Sequence, residues 1–382
     1  MNLPIAILLL CAMLGLVDKI LGNRMGLGEE FDRGLTMMGS LALTMSGIYC
    51  FSVMLGRWLA VWLQGVSLPF DPTLLVSSVL ATDMGAYSIA QTICTSPAQL
   101  IFSGVILAST LGSTISFSLP IALGSVPAKD SKTLMTGMVY GIIATPAALL
   151  IGGLMAGMTG KELLSSLLPV TLICVLIALS IFFGGERTVG VFQVMGRGIN
   201  LLAIVLFALV LVQVFFDSPS VQFVDPALIG EVLTIVFKIS VVVCGSFILS
   251  NLILRYFMHP ILSLARLIHV NEFAIIGLLL NLINSVSMFS VFGKMDRRGQ
   301  LMNAAAAVTS GFVFGGQLAF VSSVNNDAVL AFILSKLLAG VLSIFIAILL
   351  SPPYDPEMAQ GGEADAACRD PHLHQRAAHP AV

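Results

Sequence analysis

The sequence predicts an all-α polytopic membrane protein built from two inverted-topology repeats. Of its 382 residues, 57% are hydrophobic and 10% are charged, and the mean hydropathy is +1.01. This composition excludes a soluble globular protein. Apolar runs of about 20 residues, the length that a helix needs to cross a bilayer, recur as far as Leu350. Basic residues and interrupted runs also divide the chain into two halves of opposite orientation, a pattern typical of secondary transporters.

Nine apolar runs are long enough to be full spans, and two others are shorter on each arm and broken by polar or small residues. The predicted spans are 4–22, 35–56, 100–124, 134–158, 162–184, 199–216, 228–254, 299–324 and 327–351. The broken runs, 72–95 and 272–292, are predicted to be re-entrant hairpins. Amphipathic surface helices are predicted before them, at 57–68 and 256–270, because their apolar residues share one face.

The basic residues predict the topology. The first run lacks a basic n-region and a clear cleavage site, so we interpret it as a retained span that starts outside. Two basic residues, Arg57 and Lys161, then lie in external loops, whereas twelve lie in cytoplasmic loops: Lys19, Arg24, Arg33, Lys129, Lys132, Arg187, Arg197, Arg255, Arg266, Lys294, Arg297 and Arg298. This is a strong positive-inside bias. It predicts a multi-pass membrane protein with its N-terminus outside and its C-terminus in the cytoplasm.

An internal repeat follows from the same segment order. Aligning Asp83 with Asn284 sets an offset of 201 residues, which also places Gln99 on Gln300. Each repeat reads span, span, surface helix, re-entrant hairpin, span, span, and a linker span joins the two. The predicted organisation is a first membrane repeat at 1–158, a linker span and cytoplasmic loop at 159–198, a second membrane repeat at 199–351 and a disordered cytoplasmic tail at 352–382.

Asp83 is the strongest candidate for a functional residue. No other charged residue occurs between Asp71 and Lys129, and an ionised group at bilayer depth must face the protein interior or a water-filled cavity. Polar residues accompany it in both hairpins and in the span that follows the second one. The predicted substrate-binding set is Asp83, Thr82, Ser88, Gln91, Asn281, Asn284, Ser285 and Gln317. A carboxylate facing amides and hydroxyls suits a small cation with a hydrogen-bonding tail.

A structural interpretation of Asp83 remains open beside this one. Lys336 and Lys238 both lie inside apolar runs, and either could neutralise the Asp83 carboxylate as an ion pair. Lys336 would then be a structural or gating residue rather than a substrate contact, because two cations repel. Asp296 stands among three basic residues at the cytoplasmic end of the second hairpin, where a salt-bridged loop clasp is favoured over a binding role.

The remaining motifs predict no catalytic, metal or nucleotide chemistry. The six cysteines are scattered without a CxxC pair, and no Walker-type loop or hydrolase constellation is present. We therefore predict that the chain is not an enzyme and uses no cofactor, metal or nucleic-acid partner. Gly104, Ala108, Gly112 and Ser116 recur at four-residue spacing, which permits close helix packing and also a homodimer in the bilayer.

Several segments resemble the EutH family, from about residue 5 to residue 350. They include "FDRGLTMMGSLALTMSG", "LATDMGAY", "FSGVILASTLGSTISFSLPIALG", "VFQVMGRG", "KMDRRGQLMNAAAAV" and "SKLLAG". The resemblance implies an inner-membrane permease that imports ethanolamine, whose ammonium suits a carboxylate and whose hydroxyl suits amides and serines. The chain departs from the family pattern at Ser285, at Ser287 and at Gly315-Gly316-Gln317. A permease for another small amine, or a membrane sensor or scaffold that binds an amine without moving it, is therefore an alternative.

Overall fold

The computed structural model describes residues 3–63, 70–216 and 222–351. These residues are helical, with no β-strand among them. Eight of the helices they form are long and apolar enough to cross a membrane. The all-α polytopic prediction is therefore confirmed. The end of the first predicted surface helix and the predicted tail at 352–382 lie outside the described residues.

Two long helices, a pair of short helices and two further long helices make up the first half. They are α1 (Leu3–Ile20), α2 (Leu27–Leu63), α3 (Thr73–Val79), α4 (Ala86–Ile93), α5 (Pro97–Ser125) and α6 (Ser131–Met155). With 7 and 8 residues, α3 and α4 each reach about 12 Å at most, too short to cross a bilayer. The α2 helix runs without a break as far as Leu63, so 57–63 is not the separate surface helix that was predicted. No proline separates that segment from the span, and Gly56 at the junction is accommodated within the continuous helix.

A long helical segment, Gly160–Phe216, connects the two halves. It contains two candidate spans, α7 (Gly160–Gly184) and α8 (Gly190–Phe216), in agreement with two of the predicted runs. The hydroxyl of Thr188 donates a hydrogen bond of 2.7 Å to the carbonyl oxygen of Ser180. In a straight helix these residues would be about 12 Å apart along the axis. The chain therefore bends sharply between α7 and α8.

The second half has a long helix at each end and four shorter helices between them. It comprises α9 (Pro226–Ile268), α10 (Glu272–Ile283), α11 (Ser285–Val291), α12 (Arg297–Thr309), α13 (Gly316–Val324) and α14 (Val329–Leu350). Asp225 caps α9 by accepting a hydrogen bond from the Ala227 amide. A kink at Phe257, where φ is −114° and ψ is 19°, separates the spanning part of α9 from the predicted surface helix at its end.

The predicted uninterrupted span at 299–324 is wrong, because the chain leaves helical geometry between α12 and α13. Phe312 has a φ of 61°, a left-handed conformation that a bulky residue rarely adopts. Its amide donates to the carbonyl oxygen of Asn281 at 3.0 Å, and the Phe314 amide donates to that of Leu282 at 2.8 Å. These bonds satisfy backbone groups that the interrupted helix frees. The result is eight long candidate spans and one broken one.

Close contacts between helices explain several of the glycines. The α6 helix packs against α12 and α14, while α2 packs against α9. A Cβ atom added at Gly141 of α6 would lie 2.5 Å from the carbonyl oxygen of Ala305, so this small residue lets two backbones approach within the chain. The predicted homodimer stays a prediction. The Gly104–Ser116 surface named for it is packed inside the protomer, where a Cβ atom at Gly112 would lie 2.1 Å from the Leu80 carbonyl oxygen.

Candidate functional site

The break between α3 and α4 presents Asp83 at the end of a short helix. After α3 the chain becomes extended at Leu80 and Ala81, turns once as a 3₁₀-helix, and reaches Gly85 with a φ of 98°. A Cβ atom at Gly85 would lie 1.9 Å from the Ser52 hydroxyl, so only glycine fits both this conformation and this space. The hydroxyl of Thr82 donates to the carbonyl oxygen of Gly104 at 2.8 Å. This bond attaches the break to α5 and fixes the position of Asp83.

The break between α10 and α11 presents Asn284 in the corresponding way. Asn284 has an extended backbone, and its side-chain oxygen caps α11 by accepting from the Val286 amide at 3.0 Å. The next side chains hold the break in place. The Ser285 hydroxyl donates to the Asn281 side-chain oxygen, and the Asn281 amide group donates to the carbonyl oxygen of Asn303 at 3.1 Å. The Asn284 amide nitrogen is left with a 4.0 Å contact to a methionine sulfur.

Both breaks line one cavity of about 330 Å³. Its polar lining combines the Asp83 carboxylate, two side-chain amides and several hydroxyls, which belong to Asn284, Gln317, Ser40, Thr44 and Ser113. Its apolar lining includes the thioethers of Met37, Met45 and Met84 and the rings of Phe117 and Phe312, which stack edge to face at 5.8 Å. A single carboxylate among neutral hydrogen-bonding groups can balance one small organic cation and orient its polar tail.

Asp83 faces this cavity without a donor from any other side chain. Among the described residues, Asp83 has no cation within 4.0 Å, and the ion pairs there join Lys19 with Asp32 and Glu30 with Arg33. Lys336 nonetheless acts electrostatically on Asp83. The Lys336 residue is 1% exposed, and its ammonium donates to the Ser109 carbonyl oxygen at 2.6 Å and to the Gln317 side-chain oxygen at 2.9 Å. The Asp83 carboxylate is therefore available to a ligand.

The structure brings together three of the predicted substrate contacts and places the others elsewhere. Asp83, Asn284 and Gln317 line the cavity. The side chains of Thr82, Asn281 and Ser285 hold the two breaks in place, as described above, and Ser88 is buried beside the Tyr49 hydroxyl.

Gln91 lines a second cavity of about 340 Å³ together with Lys238. This cavity also contains Glu231, which accepts a hydrogen bond of 2.8 Å from the Tyr49 hydroxyl. Lys238 is therefore not brought to Asp83. Asp296 caps α12 by accepting a hydrogen bond from the Gly299 amide, and it also accepts one from the Asn271 amide. The Asp296 carboxylate therefore holds this loop through backbone amides rather than through a salt bridge.

The cavity at Asp83 continues towards one end of the helices. It shares Thr44, Met84, Phe117 and Ile121 with a neighbouring cavity of about 380 Å³ that reaches Arg197. Towards the opposite end, Tyr87 and Phe320 contact edge to face at 6.0 Å, and the Tyr87 hydroxyl donates to the Val324 carbonyl oxygen at 3.3 Å. Both aromatic residues are buried, and neither lines the two cavities.

Sequence reasoning missed Ser40 and Thr44. Both residues lie on α2, and periodicity alone does not tell which face of an apolar helix meets a cavity. Metal chemistry has no support in the described ranges, where no three His, Cys, Asp or Glu side chains come together as ligands.

A comparison with family models and a comparison with individual proteins indicate the same family. The sequence model described as "Ethanolamine utilisation protein, EutH" matches residues 2–350. A probable ethanolamine permease of Listeria monocytogenes is 35% identical, over 91% of this chain and 93% of its own length. One from Salmonella typhimurium is 30% identical over 86% and 87%, and an uncharacterised protein of Bacillus subtilis is 32% identical over 88% and 91%. No solved structure matches the chain.

Proposed function

This chain belongs to the EutH family, and we propose that it is a secondary transporter that imports protonated ethanolamine across the bacterial inner membrane. The observation that carries the proposal is the Asp83 carboxylate, which faces an internal cavity and accepts no hydrogen bond from a side chain in the described part of the chain. At bilayer depth an ionised carboxylate pairs with a cation or faces water, so this one is suited to a cationic substrate.

Ethanolamine fits the groups around this carboxylate. Its ammonium would lie against Asp83, and its hydroxyl would bond to the amide of Asn284 or to the hydroxyl of Ser113, both of which line the cavity. The amide nitrogen of Asn284, which contacts the Met37 sulfur at 4.0 Å, is the better donor, because the Ser113 hydroxyl already donates to the Ser109 carbonyl oxygen at 2.8 Å. The cavity is larger than this two-carbon molecule, which is expected for an open, hydrated state. The chemistry is binding and release, so the proposed role is transport rather than catalysis.

Two inverted repeats are the proposed basis of movement. Shifted by 201 residues, α2 falls on 228–264 within α9, α3 and α4 fall on 274–294 at α10 and α11, and α6 falls on 332–356 at α14. Helices that this offset relates also pack together, as α2 does with α9 and α6 with α14. Contacts between equivalent helices support a pseudo-twofold axis, with Asp83 and Asn284 as equivalent residues at the two breaks.

The direction of opening follows from the predicted topology. The positive-inside rule puts Arg197, which lines the far end of the continuous cavities, on the cytoplasmic side. The Tyr87 and Phe320 contact then closes the external side, and the arrangement is inward-open. Import would require this contact to separate while the cytoplasmic cavity closes, so that the two breaks face each side of the membrane in turn.

Uptake into proteoliposomes tests the proposal. Purified protein should accelerate the entry of labelled ethanolamine at low pH, where the neutral form that crosses lipid unaided is scarce. Excess unlabelled ethanolamine should compete, whereas a neutral diol of similar size should not. Binding without uptake would instead indicate an amine sensor, and uptake that prefers another small amine would indicate a permease of different specificity.

A further inference from the structure

The charges at the cavity do not accommodate a second cation. Within the described residues, the ionised groups that interact at this site are one carboxylate, on Asp83, and one amine, on Lys336. The empty site is therefore neutral when both are charged. A protonated ethanolamine beside Asp83 would leave two buried cations facing one carboxylate, and burying an uncompensated charge is strongly unfavourable.

The hydrogen bonds of Lys336 indicate how this excess charge can be removed. A lysine ammonium has three N–H donors, but the described residues offer Lys336 two acceptors, the Ser109 carbonyl oxygen and the Gln317 side-chain oxygen. A neutral amine has two N–H groups and one lone pair. It would keep both bonds, one of them to Gln317 of the cavity lining, so losing the proton costs Lys336 no hydrogen bond to the protein.

Other ionisable groups on the surrounding helices do not take this role. Lys336 lies on α14, which packs against α5, α6, α12 and α13, and neither α5 nor α13 carries an ionisable side chain. The α6 helix carries Lys132 in its first turn and Tyr140, α12 begins with Arg297 and Arg298, and Asp327 precedes α14. Of all these groups and Asp83, only Asp83 acts electrostatically on Lys336.

We propose that Lys336 is a proton-binding site coupled to the substrate, so that each ethanolamine cation that binds at Asp83 displaces one proton from the Lys336 ammonium. The proton is released to the solvent and is taken up again when the substrate departs. This inference rests on the proposed function. The empty and the loaded sites then have the same net charge, and both can change conformation without moving charge across the membrane. Exchange of one cation for one proton is electroneutral and equivalent to net movement of the neutral amine.

Calorimetry on the full chain tests the coupling directly. Ethanolamine binding is titrated between pH 5 and pH 7, where ethanolamine stays protonated, in buffers with different ionisation enthalpies. Over the range in which Lys336 is protonated in the empty protein, we expect release of close to one proton per ethanolamine bound. Affinity should fall about tenfold for each unit by which the pH is lowered. Binding that is independent of pH and releases no proton would overturn the inference but leave the proposed function intact, whereas absence of binding would contradict both.

Variants identify the group that releases the proton. Lys336→Met should bind ethanolamine without proton release and without pH dependence, while Lys238→Met, altered at an exposed lysine of the second cavity, should behave like the unaltered protein. Proton release that persists in Lys336→Met would assign the proton to Asp83 and refute the role of Lys336. If Lys336→Met does not fold, Lys336→Arg provides a permanently charged replacement, for which we expect binding at least a hundredfold weaker. Binding by Lys336→Arg as tight as that of the unaltered protein would refute the charge argument.

Transport gives an independent readout. In proteoliposomes, an inside-negative potassium diffusion potential should leave the initial rate of uptake by the unaltered protein unchanged, because the exchange is electroneutral. The same potential should accelerate uptake by Lys336→Met, which carries the cation without a compensating proton. Acceleration of the unaltered protein would show that Lys336 keeps its proton during transport and would overturn the proposal.

Discussion

Replacing Asp83 by asparagine removes the charge proposed to hold the substrate while keeping the shape of the side chain. A unit charge pair 4 Å apart is worth about 4 kcal/mol at the effective dielectric constant of a partly hydrated protein site, and removing one partner of a buried pair typically costs about 3–5 kcal/mol. The Asp83→Asn variant should therefore bind ethanolamine two to three orders of magnitude more weakly. The variant should still fold, since Lys336 can lose its proton and keep its bonds to Ser109 and Gln317.

Affinity and thermal stability measured on the same preparations separate substrate binding from a structural ion pair. If Asp83 binds the substrate, Asp83→Asn loses affinity and melts within a few degrees of the unaltered protein. If Asp83 only neutralises Lys336, the variant melts earlier, keeps its affinity and recovers stability when Lys336→Met is added. Lys238→Met in the same background is the matched control. Unchanged affinity in a destabilised Asp83→Asn protein would refute the assignment of the substrate site.

Three further predictions concern the breaks, the helix packing and the topology. Asn284→Ala should weaken ethanolamine binding about tenfold and cost about 0.5–2 kcal/mol of stability through loss of the α11 cap. Asn281→Ala should cost about 1–3 kcal/mol of stability through lost buried hydrogen bonds with little change in affinity; equal effects of both on affinity would contradict their different roles. Gly141→Ala should destabilise the protein by about 1–3 kcal/mol, because the added methyl group meets backbone on the neighbouring helix. In a cysteine-free background, a cysteine at Asn325 should react with an impermeant reagent applied from outside and one at Ser131 should not, whereas external labelling at Ser131 would refute the inverted topology.

The glycine prediction has a matched control. A Cβ atom added at Gly230, near the start of α9, would find no atom within 4 Å. Gly230→Ala should therefore leave the melting temperature unchanged or raise it slightly, as expected for a better helix former in open space. Equal destabilisation by both glycine substitutions would mean that close packing against α12 is not the cause.

The topology prediction also places Ser218 on the external side, together with Asn325, so a cysteine at either position should be labelled from outside. Ser218 lies outside the described residues.

Asp83 could be predicted from the sequence because its signal is chemical rather than geometric. A lone carboxylate in a long uncharged stretch needs a cavity or a partner wherever the helix faces. The same reasoning identified Lys336, which does act on Asp83. It also identified Lys238, which lines a different cavity. A charged residue in an apolar run indicates that a partner is needed, but it does not indicate which residue that partner is.

The neutral polar residues could not be assigned in this way. Asn284 and Asn281 are three residues apart in the same broken run, yet one lines the cavity and the other bonds to the backbone of α12. Asparagine and serine side chains form hydrogen bonds with backbone groups as readily as with a ligand. Their roles therefore depend on where the neighbouring helix lies, which the sequence of one segment does not contain.

The interruption at 310–315 was missed for a related reason. The run 299–324 is apolar enough for a continuous span, and glycine pairs are tolerated inside membrane helices. What stabilises the break is the pair of hydrogen bonds from the Phe312 and Phe314 amides to carbonyl oxygens at the end of α10. These acceptors are free because α10 ends nearby, so the two breaks depend on each other across about 30 residues of sequence.

A structure of the protein in lipid nanodiscs with ethanolamine bound would test the central claim most directly. We predict that the ammonium nitrogen lies within hydrogen-bonding distance of the Asp83 carboxylate, with the hydroxyl towards Asn284 and the Lys336 amine still bonded to Gln317. Ethanolamine bound instead at Glu231 in the second cavity, with the Asp83 cavity empty at saturating ligand, would contradict the account.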